Sequence, residues 1–596
     1  MYIRKVSHTD KNGKTYHTFK LIESVRTERG PRQRMLLNLG TDFSVPEGAW
    51  KDLANRIEEM VTGQRPLFPG RHAKIEELAA GYATRIIAYH GEEKKEEHAE
   101  PLYERVDIDT VENQHIRSVG AEHVVYETMK TLGLPDLFAS LGFTRPAVNV
   151  AIGVVAARLI APSSERATHE WLAHMTALDD LLGTDFRDLS QDRVYKAADM
   201  LLTNKEKIED HLRSREASLF TLDERIILYD LTNTFFEGSG KYNDKARFGV
   251  SKEKRSDCPL VTLGMVLDAD GFPKRTEVFA GNVSEPGTLE GMITALASPP
   301  LAAQPLIVMD AGVATEANIL WLKDHCYDYI VVSRTKKVDI PAEMVTVRED
   351  NRRLIRAALL YDAGEATLVC HSTDKEIKET GIENRFERRF EEELGKVHSA
   401  LGKKHGRKRY EKVVEKIGRL KERYRRIGRR YDITVTKNDK DLATAVTWQR
   451  KKEETRPGVY LLRSNRLDLT EKEFFDLFSM LTDIEDAFRS MKSDLGLRPV
   501  YHQKERRSDG HLFITVLAYH ILQTIRVALR NRQIPESWPT IRKVLSSHVR
   551  LTTTMKRDDG KVIHLRKSSS PEPFHTRIYD ALHLSHRPGK TVKTVL

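Results

Sequence analysis

The chain has 596 residues, too many for one ordinary domain, and 40% of them are hydrophobic, enough for several buried cores. Its formal net charge of +10 favours an anionic partner, nucleic acid first and an anionic membrane surface second. Three cysteines (Cys258, Cys326, Cys370), far apart and without a CxxC pair, fit neither a disulfide framework nor a zinc site.

The amino terminus, Met1-Tyr2-Ile3-Arg4-Lys5, lacks the apolar core of a signal peptide. No run reaches the ~18 apolar residues that span a bilayer. Arg158 interrupts one candidate, and His520 and Gln523 interrupt the other. A soluble, cytoplasmic protein is expected, with no membrane partner. Residues 1 to about 45 alternate polar and apolar positions around Asp10-Lys11-Asn12-Gly13-Lys14, where Asn-Gly signals a hairpin. Residues 46–90 read as helical, and the charged stretch from Gly91 to Pro101 reads as a linker. From about 118 to 215 the pattern is helical again. Ala121 to Leu132 is amphipathic, Pro146 to Leu159 is nearly all apolar, and Ser190 stands where a further helix needs its N-cap. This region is expected to be a helical DNA-binding domain or a helical brace.

An alternating α/β segment follows. Strands are expected at Ile226–Leu231, Leu260–Leu267, Arg275–Ala280, Leu306–Met309 and Tyr329–Ser333, and helices at Thr288–Leu296 and Glu316–His325. Asp268-Ala269-Asp270-Gly271 is a turn between the second and third strands, not a calcium loop, because the other ligand positions are missing. The order is that of a ribonuclease H-like fold. Roughly 135 residues then intervene before a closing helix. They hold strand-like stretches at Met344–Val347, Leu354–Leu360 and Glu365–Cys370, and a charged helical region from about 384 to 430. Short strands follow at Tyr431–Thr436 and Val459–Leu462. Helical periodicity resumes at Glu471–Leu495 and Gly510–Leu529. The expected divisions are 1–100 (hairpin and helix), 101–219 (helical), 220–338 (first part of the core), 339–465 (insertion), 466–535 (closing helices) and 536–596 (carboxy-terminal region).

Three acidic residues stand out in this frame. Asp230 lies at the end of the apolar run Ile226–Tyr229, Asp310 at the end of Leu306–Met309, and Glu485 on a later helix. Two strand-borne aspartates and a helical glutamate suit a pair of hard cations roughly 3.5–4 Å apart, the arrangement of two-metal phosphoryl transfer. Magnesium suits it because it keeps coordination positions open for phosphate oxygens. On a helix Glu485, Arg489 and Lys492 fall on one face, with Ile484, Phe488, Met491 and Leu495 on the adjoining apolar face. Lys252 and Arg255 follow the first strand in a glycine-containing loop and are candidates for DNA phosphates. Thr232 and Asn233 are candidates for orienting Asp230 from behind. His502 and His511 are expected to be structural, or to lie near phosphate, rather than to serve as ligands. Lys403 to Arg430 carries fourteen Lys/Arg against three Glu, an excess that favours phosphate contact over an ordinary solvated helix pair.

These motifs resemble those of DDE transposases of bacterial insertion sequences, in the superfamily marked by a Tyr-Arg-Glu-Lys signature. The matching text is Tyr229-Asp230-Leu231-Thr232, Gly249-Val250-Ser251-Lys252, Asp270-Gly271-Phe272-Pro273, Phe279-Ala280-Gly281-Asn282 and Met309-Asp310-Ala311-Gly312. Ile484-Glu485-Asp486-Ala487-Phe488-Arg489-Ser490-Met491-Lys492 and Arg498-Pro499-Val500-Tyr501-His502 complete it. The resemblance spans about 220 to 525. It implies that Asp230, Asp310 and Glu485 bind two Mg2+ (or Mn2+) ions and that Lys492 contacts phosphate near the cleaved end. It also implies transposon-end and target DNA as partners, with a homodimer on DNA in the nucleoid. The chain departs from the signature where its Tyr and Arg belong, at Phe478 and Leu481. Tyr460 and Arg463 have the right mutual spacing but lie too far upstream to share the Glu485 helix, and Arg489 is the candidate to supply the missing charge. A ribonuclease H-like nuclease without strand transfer and a catalytically inactive DNA-binding protein are the alternative readings.

Overall fold

The computed structural model describes residues 1–9, 15–27, 30–40, 43, 45–62, 74–76, 78–79, 82–83, 86, 103–187, 189–220, 222, 225–252, 255–296, 305–333, 340–350, 353–403, 409–451 and 456–595. The expected turn at Asp10–Lys14 and the linker at 91–101 lie outside these residues. The chain divides into two compact units. One joins Met1–Ala303 to Thr482–Leu596, and the other is Gln304–Leu481.

The first unit begins with three antiparallel strands, Tyr2–Thr9, Thr15–Thr27 and Gly30–Gly40. The third extends the expected hairpin, and the sequence between Thr27 and Gly30 holds no Asn-Gly pair to announce it. Leu21, Leu37 and Leu39 bury one sheet face against Leu53 and Ile57 of the helix Trp50–Thr62. Next comes a strand in the stretch read as helical. Val106–Ser118 pairs antiparallel with Val549–Arg557, which continues through Val562–Ser568 to Val592–Val595. Its partner is remote in sequence (Thr553 and Asn113 are 440 positions apart), so no local pattern marks the pairing.

Helices Gly120–Thr131, Arg145–Ile160, Gln191–Thr203 and Lys205–Phe220 pack around the helix Glu505–Arg530. That helix is, contrary to expectation, long and apolar enough to cross a membrane, but 83% of its apolar window is buried within the protein. Its polar interruptions find partners there. His520 Nδ1 lies 2.7 Å from Glu216 Oε1, and Gln523 Nε2 donates to the Asp270 carbonyl at 2.6 Å. Ser190 occupies the expected N-cap position of Gln191–Thr203, but Arg193 N bonds its carbonyl at 3.0 Å and the hydroxyl makes no capping bond.

Glu165 joins this helical body to the segment after the Glu485 helix. Its Oε1 is 2.9 Å from His502 Nε2 and 3.5 Å from His511 Nδ1, while Arg158 stands 3.2 Å from His511 Nδ1 and donates to the Gly496 carbonyl. Burial pushes the Glu165 carboxyl up, but the bonds from His502 and His511 outweigh it and hold the group below the ordinary range. Burial, helped by the Arg158 charge, pushes His511 down to about 4.

Strands Ile226–Phe235, Leu260–Asp268 and Pro273–Ala280 form an antiparallel trio in chain order, as expected. Asp268 closes the turn between the second and third. Its Oδ1 accepts from Asp270 N and Phe272 N, and its other oxygen meets buried Lys274 at 2.9 Å. At the opposite end the loop from Arg247 crosses the sheet through two glycines. A Cβ on Gly281 would lie 2.2 Å from the Leu260 carbonyl oxygen and 2.5 Å from that of Arg247, and one on Gly249 would lie 2.2 Å from the Gly281 oxygen.

In the second unit Leu306–Met309 runs parallel to Asp328–Val332 through the helix Glu316–Asp324. Val459–Ser464 pairs antiparallel with Asp328–Val332, followed by Glu365–Ser372, Arg353–Asp362 and Val345–Asp350. The expected insertion strands therefore extend this sheet. The charged region forms helices Thr373–Leu401 and Tyr410–Arg423, which bury Phe390, Leu394, Ile417 and Leu420 against Tyr431 and Val446 of a β-hairpin. Its second strand, Ala443–Arg450, was not expected. The periodicity read over Glu471–Leu495 is two helices, Glu471–Ser479 and Leu481–Ser493, broken at Met480.

Two outcomes follow for stability. Gly281→Ala should destabilise the protein by roughly 1–3 kcal/mol, because the methyl meets backbone that cannot swing aside. Gly291→Ala, in open helical space, should hold or raise the melting temperature; equal melting temperatures for the two variants would refute the close crossing. His511 is neutral in the fold and titrates near 6.5 when unfolded, so its contribution is complete above pH 6.5 and is lost as pH falls toward about 4. Glu165 acts with the same sign below its unfolded value. His511→Asn should flatten the melting-temperature profile between pH 6.5 and 4, and an unchanged slope would refute the assignment.

Candidate active site

In the strand Ile226–Phe235 the residues Ile227, Leu228 and Tyr229 are buried, whereas the Asp230 side chain keeps 17% of its surface. Its Oδ1 accepts the Leu231 N–H at 2.7 Å, which fixes the carboxylate against its own backbone. The Lys252 ammonium donates to the Leu231 carbonyl at 2.6 Å and stands 3.6 Å from Asp230 Oδ1. It also stands 3.4 Å from Glu285 Oε1. Two carboxylates thus share one tethered cation.

Asn233 explains why the lysine is there. Its Oδ1 accepts Lys252 N at 3.1 Å, and its Nδ2 donates to the Val250 carbonyl at 2.8 Å. Expected to orient Asp230, Asn233 instead holds the loop that carries Lys252. Thr232 is buried beside it in the strand. Arg255 is held at the end of the same strand by two 2.8 Å bonds to Asp257, with its guanidinium 4.4 Å above the Phe235 ring. The Tyr229 hydroxyl meets Thr288 Oγ1 at 2.6 Å, and Thr288 donates to the Glu285 carbonyl at 2.6 Å. Burial pushes the Tyr229 phenol well above its ordinary range, so it stays neutral. In the sequence Glu285 is a lone glutamate before a proline, with no periodic pattern to single it out.

The helix Leu481–Ser493 presents Glu485 and Arg489 to solvent and leaves Lys492 half-buried, while Ile484, Ala487, Phe488 and Met491 are buried. The expected faces are therefore present. Arg489 pairs with Asp486 at 2.8 Å, an exposed contact worth little. Arg526 donates to Ser490 Oγ at 2.8 Å from the long core helix. Beyond the helix, Val500 N donates to the Phe235 carbonyl at 2.9 Å, and Glu237 N donates to the Val500 carbonyl at 2.9 Å. The exit of the Glu485 helix is thus bonded to the end of the Asp230 strand.

In the second unit Asp310 follows Leu306–Met309 and is exposed, with Oδ1 accepting Ala311 N at 2.6 Å. Asn318 donates to the Val313 carbonyl at 2.8 Å and so fixes the loop after it. Tyr460 and Arg463 lie on the strand Val459–Ser464. Arg463 is engaged by Glu316 at 2.6 Å and Glu365 at 2.8 Å. The Tyr460 ring packs 6.3 Å from Phe478, with Lys375 Nζ 4.5 Å from its centroid. Neither side chain shares a helix with Glu485.

The carboxylates of Asp230 and Glu285, which flank Lys252, offer hard oxygen ligands, the donor type that divalent magnesium or manganese prefers. The Lys252 ammonium against Asp230 and Glu285 marks a place already suited to positive charge. Glu165, His502 and His511 also approach one another closely enough to hold a metal ion, but the Arg158 guanidinium beside them already supplies the balancing charge.

No curated protein matches the chain. A solved piggyBac transposase synaptic complex with hairpin DNA is similar over 72% of this chain and 80% of that one, at 8% identity and a TM-score of 0.35. A model of the IS1634 family transposase N-terminal domain matches residues 3–63, the three strands and the helix packed on them. A model of the transposase DDE domain matches residues 222–521, half of the chain. The chain belongs to the DDE transposases of insertion sequences.

Proposed function

We propose that Asp230, Asp310 and Glu485 are the catalytic carboxylates of a ribonuclease H-like core that cuts transposon ends and joins them to target DNA. The observation that carries this reading is Asp230, a carboxylate pinned in mid-strand with a cation already held against it. The DDE domain implies dependence on a divalent metal. Two magnesium ions, or manganese in their place, would supply an activated water and neutralise the leaving oxygen. The chain's own groups do the positioning. The Leu231 N–H holds the Asp230 carboxylate, and the buried face of Leu481–Ser493 keeps Glu485 on a rigid support. Lys492 and Arg489, on the same helix, meet DNA phosphates, with Arg489 leaving Asp486 to do so. Hydrolysis at the element end frees a 3′-hydroxyl, which then attacks a target phosphodiester; a nuclease would stop after the first step. The 101–219 region takes part in recognising the ends, and two copies hold two ends together.

Charge in the insertion supports a second DNA contact. Lys421, Arg425 and Arg429 line one concavity with Lys451, and among the described residues none of those three has an acidic partner. Each phosphate they neutralise releases counterions.

Asp230→Ala, Asp310→Ala and Glu485→Ala should each reduce end cleavage by on the order of 10⁴-fold, while binding element-end DNA within a few-fold of the parent. Cleavage assays with gel-shift controls measure both, and normal cutting by any of the three sinks the triad. Replacing Lys421, Arg425 and Arg429 together by alanine should lower the slope of log affinity against log salt by roughly 2–3. An unchanged slope would make that surface an ordinary solvated face.

A further inference from the structure

The Lys252 ammonium stands between the Asp230 carboxylate and that of Glu285, each carried by a different segment of the chain. Lys252 is brought by Gly249, whose missing side chain lets its loop cross the Gly281 backbone, and by Asn233, which grips the loop on both sides. Glu285 is brought by the short 3-10 turn Glu285–Thr288 that begins four residues past Gly281, with Thr288 bonded to the buried Tyr229 hydroxyl. The result is one ammonium 3.6 Å from Asp230 and 3.4 Å from Glu285, anchored by a short bond to the Leu231 carbonyl.

We infer that Lys252 is a resident counter-cation of the catalytic centre, and that Glu285 is a further carboxylate of that centre which the lysine holds in place until a divalent ion is taken up. The inference rests on the reading of Asp230 as a metal ligand. Its physical basis is charge. Asp230 and Glu285 repel each other and would splay apart without a cation between them; the ammonium keeps both aimed at one point. A unit positive charge and a divalent ion cannot share so small a space, so uptake of the ion requires the ammonium to withdraw. The lysine stem is flexible and 41% of the side chain is exposed, so it can swing outward. The withdrawn ammonium then faces solvent beside the centre, where a DNA phosphate is the natural partner. Metal uptake and DNA contact are coupled through one side chain, and the free enzyme is protected from carboxylate repulsion.

The test measures binding of Mn2+ to the full chain without DNA, by the loss of the free-ion electron paramagnetic resonance signal. Lys252→Met should bind Mn2+ several-fold more tightly than the parent, because a competitor has been removed, and Lys252→Gln should do the same. Glu285→Gln should bind about tenfold more weakly. A lysine that only braces the fold predicts the opposite sign for its replacement, weaker binding with a lowered melting temperature. Unchanged or weaker Mn2+ binding in both lysine variants, with melting temperatures near the parent's, overturns the proposal, as does unchanged binding in Glu285→Gln. Asp230→Asn separates this failure from that of the underlying reading. If it abolishes Mn2+ binding while the lysine and Glu285 variants behave as the parent, only the counter-cation role falls. If it too leaves Mn2+ binding unchanged, the metal centre at Asp230 falls and the proposal with it.

Discussion

Two backbone hydrogen bonds between Val500 and the end of the Asp230 strand fix the segment that leaves the Glu485 helix. They catch the chain seven residues past Ser493, where the Glu485 helix ends, and so tie its exit to the sheet. A helix is rigid along its length, so fixing its exit fixes the carboxylate two to three turns earlier. The Arg526–Ser490 bond and the buried face of the helix complete that attachment. The placement of Glu485 therefore depends on main-chain pairing at Phe235, and a change in the 497–504 segment would be felt at the helix.

Several buried polar groups tie together segments distant in sequence, and one pair stiffens a local turn. Glu165 with His502, His511 and Arg158 fastens the returning segment to the helical body. Glu216 with His520 fastens the long core helix to Lys205–Phe220, and Asp268 with Lys274 stiffens a turn. Pairs of this kind add little net stability, because desolvation offsets the attraction. Removing one partner is costly, however, since the other is left charged and dry. They act as registration points for elements whose apolar faces alone would tolerate sliding.

The sequence made the local elements legible and left the remote pairings hidden. Asp230, Asp310 and Glu485 stand out as candidates because each follows or sits within a strong apolar pattern, and the expected strands Ile226–Leu231, Leu260–Leu267, Arg275–Ala280 and Leu306–Met309 fall within observed ones. Val106–Ser118 was lost because its residues are mostly exposed and its partner strand is far along the chain. Glu285 was lost because a lone glutamate before a proline has no periodic signature; only the position of Lys252 reveals it. Spacing places Asn233 beside Asp230 but gives no hint that its side chain turns toward a loop nineteen residues on.

The pairing of Val106–Ser118 with Val549–Arg557 also bears on synthesis. A ribosome adding about 5–20 residues per second needs roughly 20–90 s to travel the 440 residues between paired positions. During that interval the earlier strand has no partner, and the first unit stays unfinished while the second can already collapse. A chain whose synthesis stops short of the last fifty residues would carry the DDE motifs and yet lack the strand that closes its first unit. Synthesis through Val549–Arg557 is thus a condition for pairing Val106–Ser118.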